Sequence, residues 1–214
     1  MKFELLVPYI PMFLQGLAVT CEVTAAALVL AFALGTLIAI GKVAGRRPLR
    51  ATLDFYTSIF RGVPLIVLLF IAYFATPQLT GWKIDMFTAG VLTLGLNGSA
   101  TVSETLRGGI EGVDAGQYDA AKSIGLSYGK TMRLIVIPAA LRSVAPALVN
   151  EVITVLKSSS LVATIGLMDM MRAAQSVQAL TYRAFEPFLA VAVVYYVIVM
   201  ALVALSRRLE RRLG

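Results

Sequence analysis

The chain has 214 residues, 58% hydrophobic and 14% charged, with 19 Lys and Arg against 12 Asp and Glu for a net charge of +7. Soluble domains hold about 45–50% apolar and about 25% charged residues, so this composition points to a membrane protein and excludes disorder. A single cysteine, Cys21, excludes a disulfide framework, and the absence of histidine removes Ser-His-Asp, Cys-His and histidine-ligated metal chemistry together.

Residues 1–13 place Lys2, Glu4 and two prolines ahead of a long apolar run. They read as a retained periplasmic or interfacial segment, because the run that follows is too long for the core of a signal peptide. Five apolar stretches come next, predicting helices over about 14–41, 57–76, 86–105, 146–167 and 187–206. A bilayer crossing needs roughly 20 mostly apolar residues, which each stretch approaches. The fourth is the weakest, since Glu151 and Lys157 interrupt it. A charge at mid-membrane costs about 2.5–3.5 kcal/mol on insertion, which leaves a re-entrant segment as the alternative there. Barrel strands would need an alternation of apolar and polar residues that is missing.

Basic residues set the orientation. Lys42, Arg46, Arg47 and Arg50 fill the first connection, and Arg107, Lys122, Lys130, Arg133 and Arg142 the third. The tail, 206–214, holds Arg207, Arg208, Arg211 and Arg212. The second connection has only Lys83, and the fourth Arg172 and Arg183. The positive-inside rule makes connections one and three and the tail cytoplasmic. The expectation is an all-α membrane protein of five transmembrane helices, with its N-terminus outside and its C-terminus in the cytoplasm. No basic-aromatic interleaving suggests a nucleic-acid surface.

The third connection, 106–145, is far longer than the usual 4–6 residues, and long connections tend to be functional. Two short helical pieces are predicted in it, 116–124 and 128–137. Gly125 is placed to end the first and Ser127 to cap the second, with Pro138 following.

This connection resembles a known element. Asp119-Ala120-Ala121, three residues, Gly125, nine residues, Ile135, one residue, then Ile137-Pro138 is similar to the EAA loop of ABC-importer permeases, with Asp for Glu at 119 and Ile for Leu at 137. Arg61-Gly62-Val63-Pro64-Leu65, Ser103-Glu104, Arg107-Gly108-Gly109-Ile110, Asn150, Lys157 and Ser160-Leu161 are similar to the permeases for polar amino acids. The resemblance covers most of 14–205 and implies the type I permease fold. It also departs in places: Ser158-Ser159 stands where the family has Asp-Thr, and Ala139-Ala140 where it has Gln-Ala. It implies a permease subunit of an ATP-driven, binding-protein-dependent importer in the bacterial inner membrane. Its partners would be a cytoplasmic ABC ATPase dimer, a second permease subunit of the same or a homologous chain, and a periplasmic or lipid-anchored amino-acid-binding protein. The chain itself would bind no cofactor. It has no GxxxxGK[ST] run, so ATP and Mg belong to the ATPase. Asp119, Ala120, Ala121, Gly125, Ile135, Ile137 and Pro138 would form the ATPase-coupling surface, with Asp119 favoured near a helix start by the macrodipole.

Polar residues inside the stretches are the remaining candidates. Asn97, Thr101 and Glu104 share a helix face at i, i+4 and i+7, and Lys157 falls near mid-bilayer. With Lys157 they are candidates for the substrate pathway, offering an acceptor for an ammonium and donors for a carboxylate. Arg61 and Glu151 are structural or gating candidates. Two readings stay open for these groups, a pathway role and ion pairs or hydrogen bonds that fix helix packing. Two other function classes stand as alternatives. One is a self-contained carrier or channel, which predicts internal repeats that are not seen. The other is a membrane enzyme using Ser158–Ser160 beside Lys157, although adjacent helical positions point about 100° apart.

Overall fold

The computed structural model describes residues 2–213, with side chains through residue 208, so Arg211 and Arg212 of the basic tail lie outside the described side chains. Among the described residues every regular element is helical. A 3-10 turn, Phe3–Tyr9, leads into α1, Ile10–Ala44, of 35 residues. At 1.5 Å per residue α1 is about 52 Å long, more than the roughly 30 Å of a hydrocarbon core. Its buried residues are Gly16, Thr20, Val23, Thr24, Ala27, Ala31, Gly35, Ala39 and Lys42. They recur every three or four positions, a stripe of mostly small side chains that lets another backbone approach.

The second apolar stretch is not one helix. α2 is Arg47–Gly62 and α3 is Leu65–Thr80, and the two meet at an angle of 102°. Pro64 causes the break. It has no N–H to give the carbonyl of Phe60, and it forces Val63 into an extended conformation (φ −100°, ψ 134°). The expected single helix over 57–76 is therefore corrected to a bent pair.

α4, Met86–Glu111, starts where the sequence predicts, because Asp85 caps it by accepting a 3.0 Å bond from the Thr88 N–H. It runs six residues past the expected end at 105. α4 lies along the small-residue stripe of α1, with Gly95 against Leu30 and Gly98 against Ala31. It is less apolar than the helices that qualify as spans on length and composition. Those are Phe3–Ala44, Tyr128–Ile165 and Phe185–Arg208, with the bent α2–α3 pair as a fourth.

α5 is Ala115–Ser123, and α6 runs unbroken over Tyr128–Ile165. A helix stopping before Pro138 and a new one starting at Pro146 were the expectation. Both prolines instead sit inside α6. A π-helical turn at Met132–Val136 precedes Pro138, and its wider hydrogen-bond spacing absorbs the missing donor. The last turn, Ser159–Ile165, tightens to 3-10 and ends at Gly166 with φ 97°.

α7, Met170–Thr181, and α8, Phe185–Leu213, complete the chain. α7 docks on α1 through a polar joint. The Met170 N–H donates to Thr20 Oγ1 at 3.1 Å, and the Thr20 hydroxyl donates to the Gly16 carbonyl at 2.9 Å. A Cβ on Gly16 would fall 2.8 Å from the Asp169 carbonyl oxygen. Asp169 is fully buried; its Oδ1 accepts from the Arg172 N–H at 2.8 Å, while Oδ2 has no protein partner among the described residues.

Burial pushes the Asp169 carboxyl from 3.8 up to about 6. The folded protein thus keeps this proton to a higher pH than the unfolded chain does. Stability is expected to fall as pH rises from about 4 to about 6, by roughly 3 kcal/mol, and to level off above that. Asp169→Asn should flatten this slope in thermal unfolding of the solubilised protein. An unchanged slope would assign it to other groups.

Candidate functional site

The polar residues singled out in the sequence fall into separate clusters. The largest lies where the end of α1 meets α2 and α4. Lys42 is 1% exposed, and its Nζ donates to Thr57 Oγ1 at 2.7 Å, to Glu104 Oε1, and pairs with Asp54 Oδ1 at 2.8 Å. Glu104 also accepts from Arg107 Nη2 at 2.6 Å, and Arg61 Nη1 stands 3.9 Å away. Glu111 extends the chain of charges, bonded to Arg107 and 3.6 Å from Arg50.

Asn97 has a definite partner. Its Nδ2 donates to the carbonyl of Phe60, the group that Pro64 leaves without its helical donor. The side chain of one helix thus repairs the break in another. Nearby, the Tyr56 hydroxyl pairs with Ser99 Oγ at 2.7 Å and donates to the Leu96 carbonyl at 3.1 Å. Asn97→Leu should cost about 1–3 kcal/mol by leaving that carbonyl unsatisfied. The cost should shrink when Pro64→Ala restores an N–H at residue 64, and unfolding midpoints of the four variants measure this coupling. An equal cost in both backgrounds would remove the pairing account.

Thr101 is half-buried one turn beyond Asn97. Glu151 lies on another side of α4, with Oε1 3.5 Å from where a Cβ on Gly98 would be. Lys157 belongs to neither group. It is exposed and lines an open groove of about 420 Å³ with Ser160, Met171 and Tyr195. Asn97, Glu104 and Arg61 therefore share the seam between α2 and α4, while Glu151 and Lys157 stand in other surroundings. Sequence reading missed Lys42, taking it only as a charge marking a cytoplasmic connection. Its position three residues after Ala39, on the small-residue stripe, was the available signal.

In the loop, α5 is capped by Asp114, whose Oδ1 accepts from the Gly116 N–H at 2.7 Å. Asp119 sits mid-helix and exposed, so it is Asp114 that serves the helix start. The C-terminus follows the prediction closely. Gly125 has φ 75°, its N–H donates to the Lys122 carbonyl, and the Leu126 N–H donates to the Ala121 carbonyl, both at 3.0 Å. These two bonds form a Schellman cap, which needs a residue in the left-handed region. Ala120 is exposed and Ala121 is buried at 1%. Ser127 is the residue before α6, but its side chain makes no capping bond. Ile135 is half-buried, while Ile137 and Pro138 are exposed, Ile137 lining a groove with Ile40 of α1 and Leu106 and Ile110 of α4; Ile124, Tyr128 and Leu134 are 75%, 66% and 63% exposed.

α5 is thus an exposed helix, followed at Ile124, Tyr128 and Leu134 by exposed apolar side chains. The family of binding-protein-dependent transport system inner membrane components matches residues 12–214. The chain belongs to this family. It is 42% identical over 213 residues to the arginine transport system permease protein ArtQ of Bacillus subtilis, covering 100% of this chain and 97% of that one. It is 39% identical over 214 residues to the putative glutamine transport system permease protein GlnP of Rickettsia bellii, covering 99% and 98%. Among solved structures, a chain from an amino acid ABC transporter crystallised with histidines superposes with a TM-score of 0.94 at 39% identity, covering 99% of each chain. The MetNI methionine ABC transporter gives a TM-score of 0.82 at 18% identity over 97% of this chain and 99% of that one, a likeness of fold. This permease is thus a transport subunit of an ABC importer with the type I fold, and ATP hydrolysis resides in a separate subunit.

Proposed function

We propose that this permease imports a polar amino acid across the bacterial inner membrane. Similarity along the whole chain to permeases named for arginine and glutamine transport carries this reading. The chain crosses the membrane five times, with its N-terminus outside and its C-terminus in the cytoplasm. The five crossings are α1, the α2–α3 pair, α4, the apolar part of α6, and α8, in keeping with the lysines and arginines of connections one and three. It pairs with a second permease subunit, takes cargo from a periplasmic or lipid-anchored binding protein, and rests on an ATPase dimer that holds ATP and Mg.

α5 and the start of α6 form the coupling surface. Asp119, Ala120 and Gly125 face outward there and Ala121 packs α5 from within, while Ile135 lies in the π-turn and Ile137 and Pro138 follow it in α6. Asn97, Thr101 and Glu104 border the pathway on the α4 side and Lys157 on the α6 side, with Arg61 and Glu151 as structural or gating groups. ATP-driven closure of the partner rocks these helices as bodies, in the manner of other alternating-access devices.

The test is ATP hydrolysis in proteoliposomes holding this chain, its ATPase, its binding protein and any sibling permease, with polar amino acids added singly. Stimulation by one class names the cargo. An intact complex that responds to none overturns the amino-acid reading. The coupling surface has its own test in Gly125→Asp. No atom stands within 4 Å of a Cβ at Gly125, so the chain has room for the side chain. Its backbone strain of about 1–2 kcal/mol and its new charge fall on the exposed face. The variant should insert normally and retain about thirtyfold less ATPase on copurification, a loss of hot-spot size. Normal copurification would discard this surface.

A further inference from the structure

α2 is attached in an unusual way. Its buried residue is Thr57, whereas Phe55, Leu49 and Ile59 are 68%, 49% and 39% exposed. Apart from Leu53, half-buried against Gly41 of α1, and Leu49 beside Gly45, what joins it to α1 and α4 is polar: Asp54 and Thr57 on Lys42, Tyr56 on Ser99 and the Leu96 carbonyl, Arg50 near Glu111, and the Phe60 carbonyl on Asn97. In a bilayer, lipid tails are as apolar as the helix, so apolar burial supplies little force between helices. The polar contacts decide where α2 sits.

Lys42 is the centre of that arrangement. An ammonium has three protons. Here they meet three acceptors, Glu104 on α4 and Asp54 and Thr57 on α2. With these acceptors in place the lysine is 1% exposed, so they and not water satisfy its protons. Any slide of α2 along α1 or α4 takes two of the three acceptors from a buried cation. We propose that Lys42 is a positioning residue that pins α2 to α1 and α4, so that the three helices move as one body during the transport cycle. α3 departs from the end of α2 at a bend of 102°, so the pin also sets where α3 begins. The proposal depends on the transport role of the chain and not on which amino acid is carried.

Spin labels on α1 and α2 read this directly, without a substrate. In the full complex with its ATPase, and with Cys21→Ala, cysteines are placed at Ile40 and Phe55, which are 55% and 68% exposed. The distance distribution is measured by pulsed electron resonance in the nucleotide-free and the vanadate-trapped complex. With Lys42 present the two distributions should agree within about 2 Å, as for two points on one body. With Lys42→Met the distribution should broaden, or shift between states by about 5 Å or more, in complexes of unchanged subunit ratio. Should Lys42→Met fail to assemble, Asp54→Asn with Thr57→Val removes two acceptors and keeps the lysine, with the same expectation. Two results overturn the proposal: a distance that changes between states in the parent complex, or variants as narrow and state-independent as the parent. A residue that only stabilised the fold would lower yield and leave the distribution of the assembled fraction unmoved.

Discussion

Asp54→Asn combined with Glu104→Gln should be the most damaging pair of substitutions in this chain that leaves every side-chain volume nearly unchanged. Each alone leaves Lys42 one carboxylate, Glu104 in the first case and Asp54 in the second. Together they remove both counter-charges from a lysine that is 1% exposed. Stranding a buried charge costs about 3–5 kcal/mol, a large share of the 5–15 kcal/mol of a typical folded domain. The singles should each cost much less, so the pair should be strongly non-additive. Unfolding midpoints in detergent, with the amount of folded material from fluorescence-detected gel filtration, measure this. Additive losses would mean that water or another group reaches the ammonium.

Gly35→Leu should be the next most harmful change. A Cβ at Gly35 would lie 2.7 Å from Val102 Cβ and 2.9 Å from the Ser99 carbonyl oxygen. The valine has no long stem to swing away, and the carbonyl belongs to the backbone of α4. The methyl of Gly35→Ala already forces the helices apart, at about 1–3 kcal/mol, and the leucine side chain should exceed that range. Loss of folded protein should follow. Gly108→Ala is the matched control, because no atom stands within 4 Å of its Cβ and alanine favours a helix by roughly 1 kcal/mol over glycine. Equal yields of Gly35→Leu and the parent would mean that α1 and α4 are not in tight contact.

How much of this was legible in the sequence depended on how local the cause was. The start of α4 was legible because Asp85 acts three residues away, on Thr88. The end of α5 was legible for the same reason, since only glycine readily takes the φ of 75° that the Gly125 cap needs. The prolines were not. Pro64 breaks its helix, while Pro138 and Pro146 do not. The difference lies in what surrounds each one. A helix from elsewhere, through Asn97, serves the carbonyl that Pro64 abandons, and a π-turn prepares the backbone for Pro138. No window of local sequence contains Asn97 and Pro64 together. The charges followed the same division. Counting lysines and arginines gives a side of the membrane, and it cannot tell Lys42, which is buried, from Arg50, which is half exposed. Asn97, Thr101 and Glu104 were placed on one face by spacing alone, and Asn97 and Glu104 do face α2. Lys157 was grouped with them by chemical complementarity, which carries no distance, and it stands in a different groove.

The inverted attachment of α2 has a consequence for handling the protein. Ordinary amphipathic helices are fastened by oil and loosened by oily solvents. This one presents Phe55 and Ile59 outward and is fastened largely by ionic and hydroxyl contacts, so water competes for its joint. Short, mobile detergents that admit water between helices should release α2 before any other element, while a tight belt of lipid should hold it. A preparation stripped of lipid can therefore keep its mass, its helicity and its partners, and still lose the alignment of one helix on which the others depend.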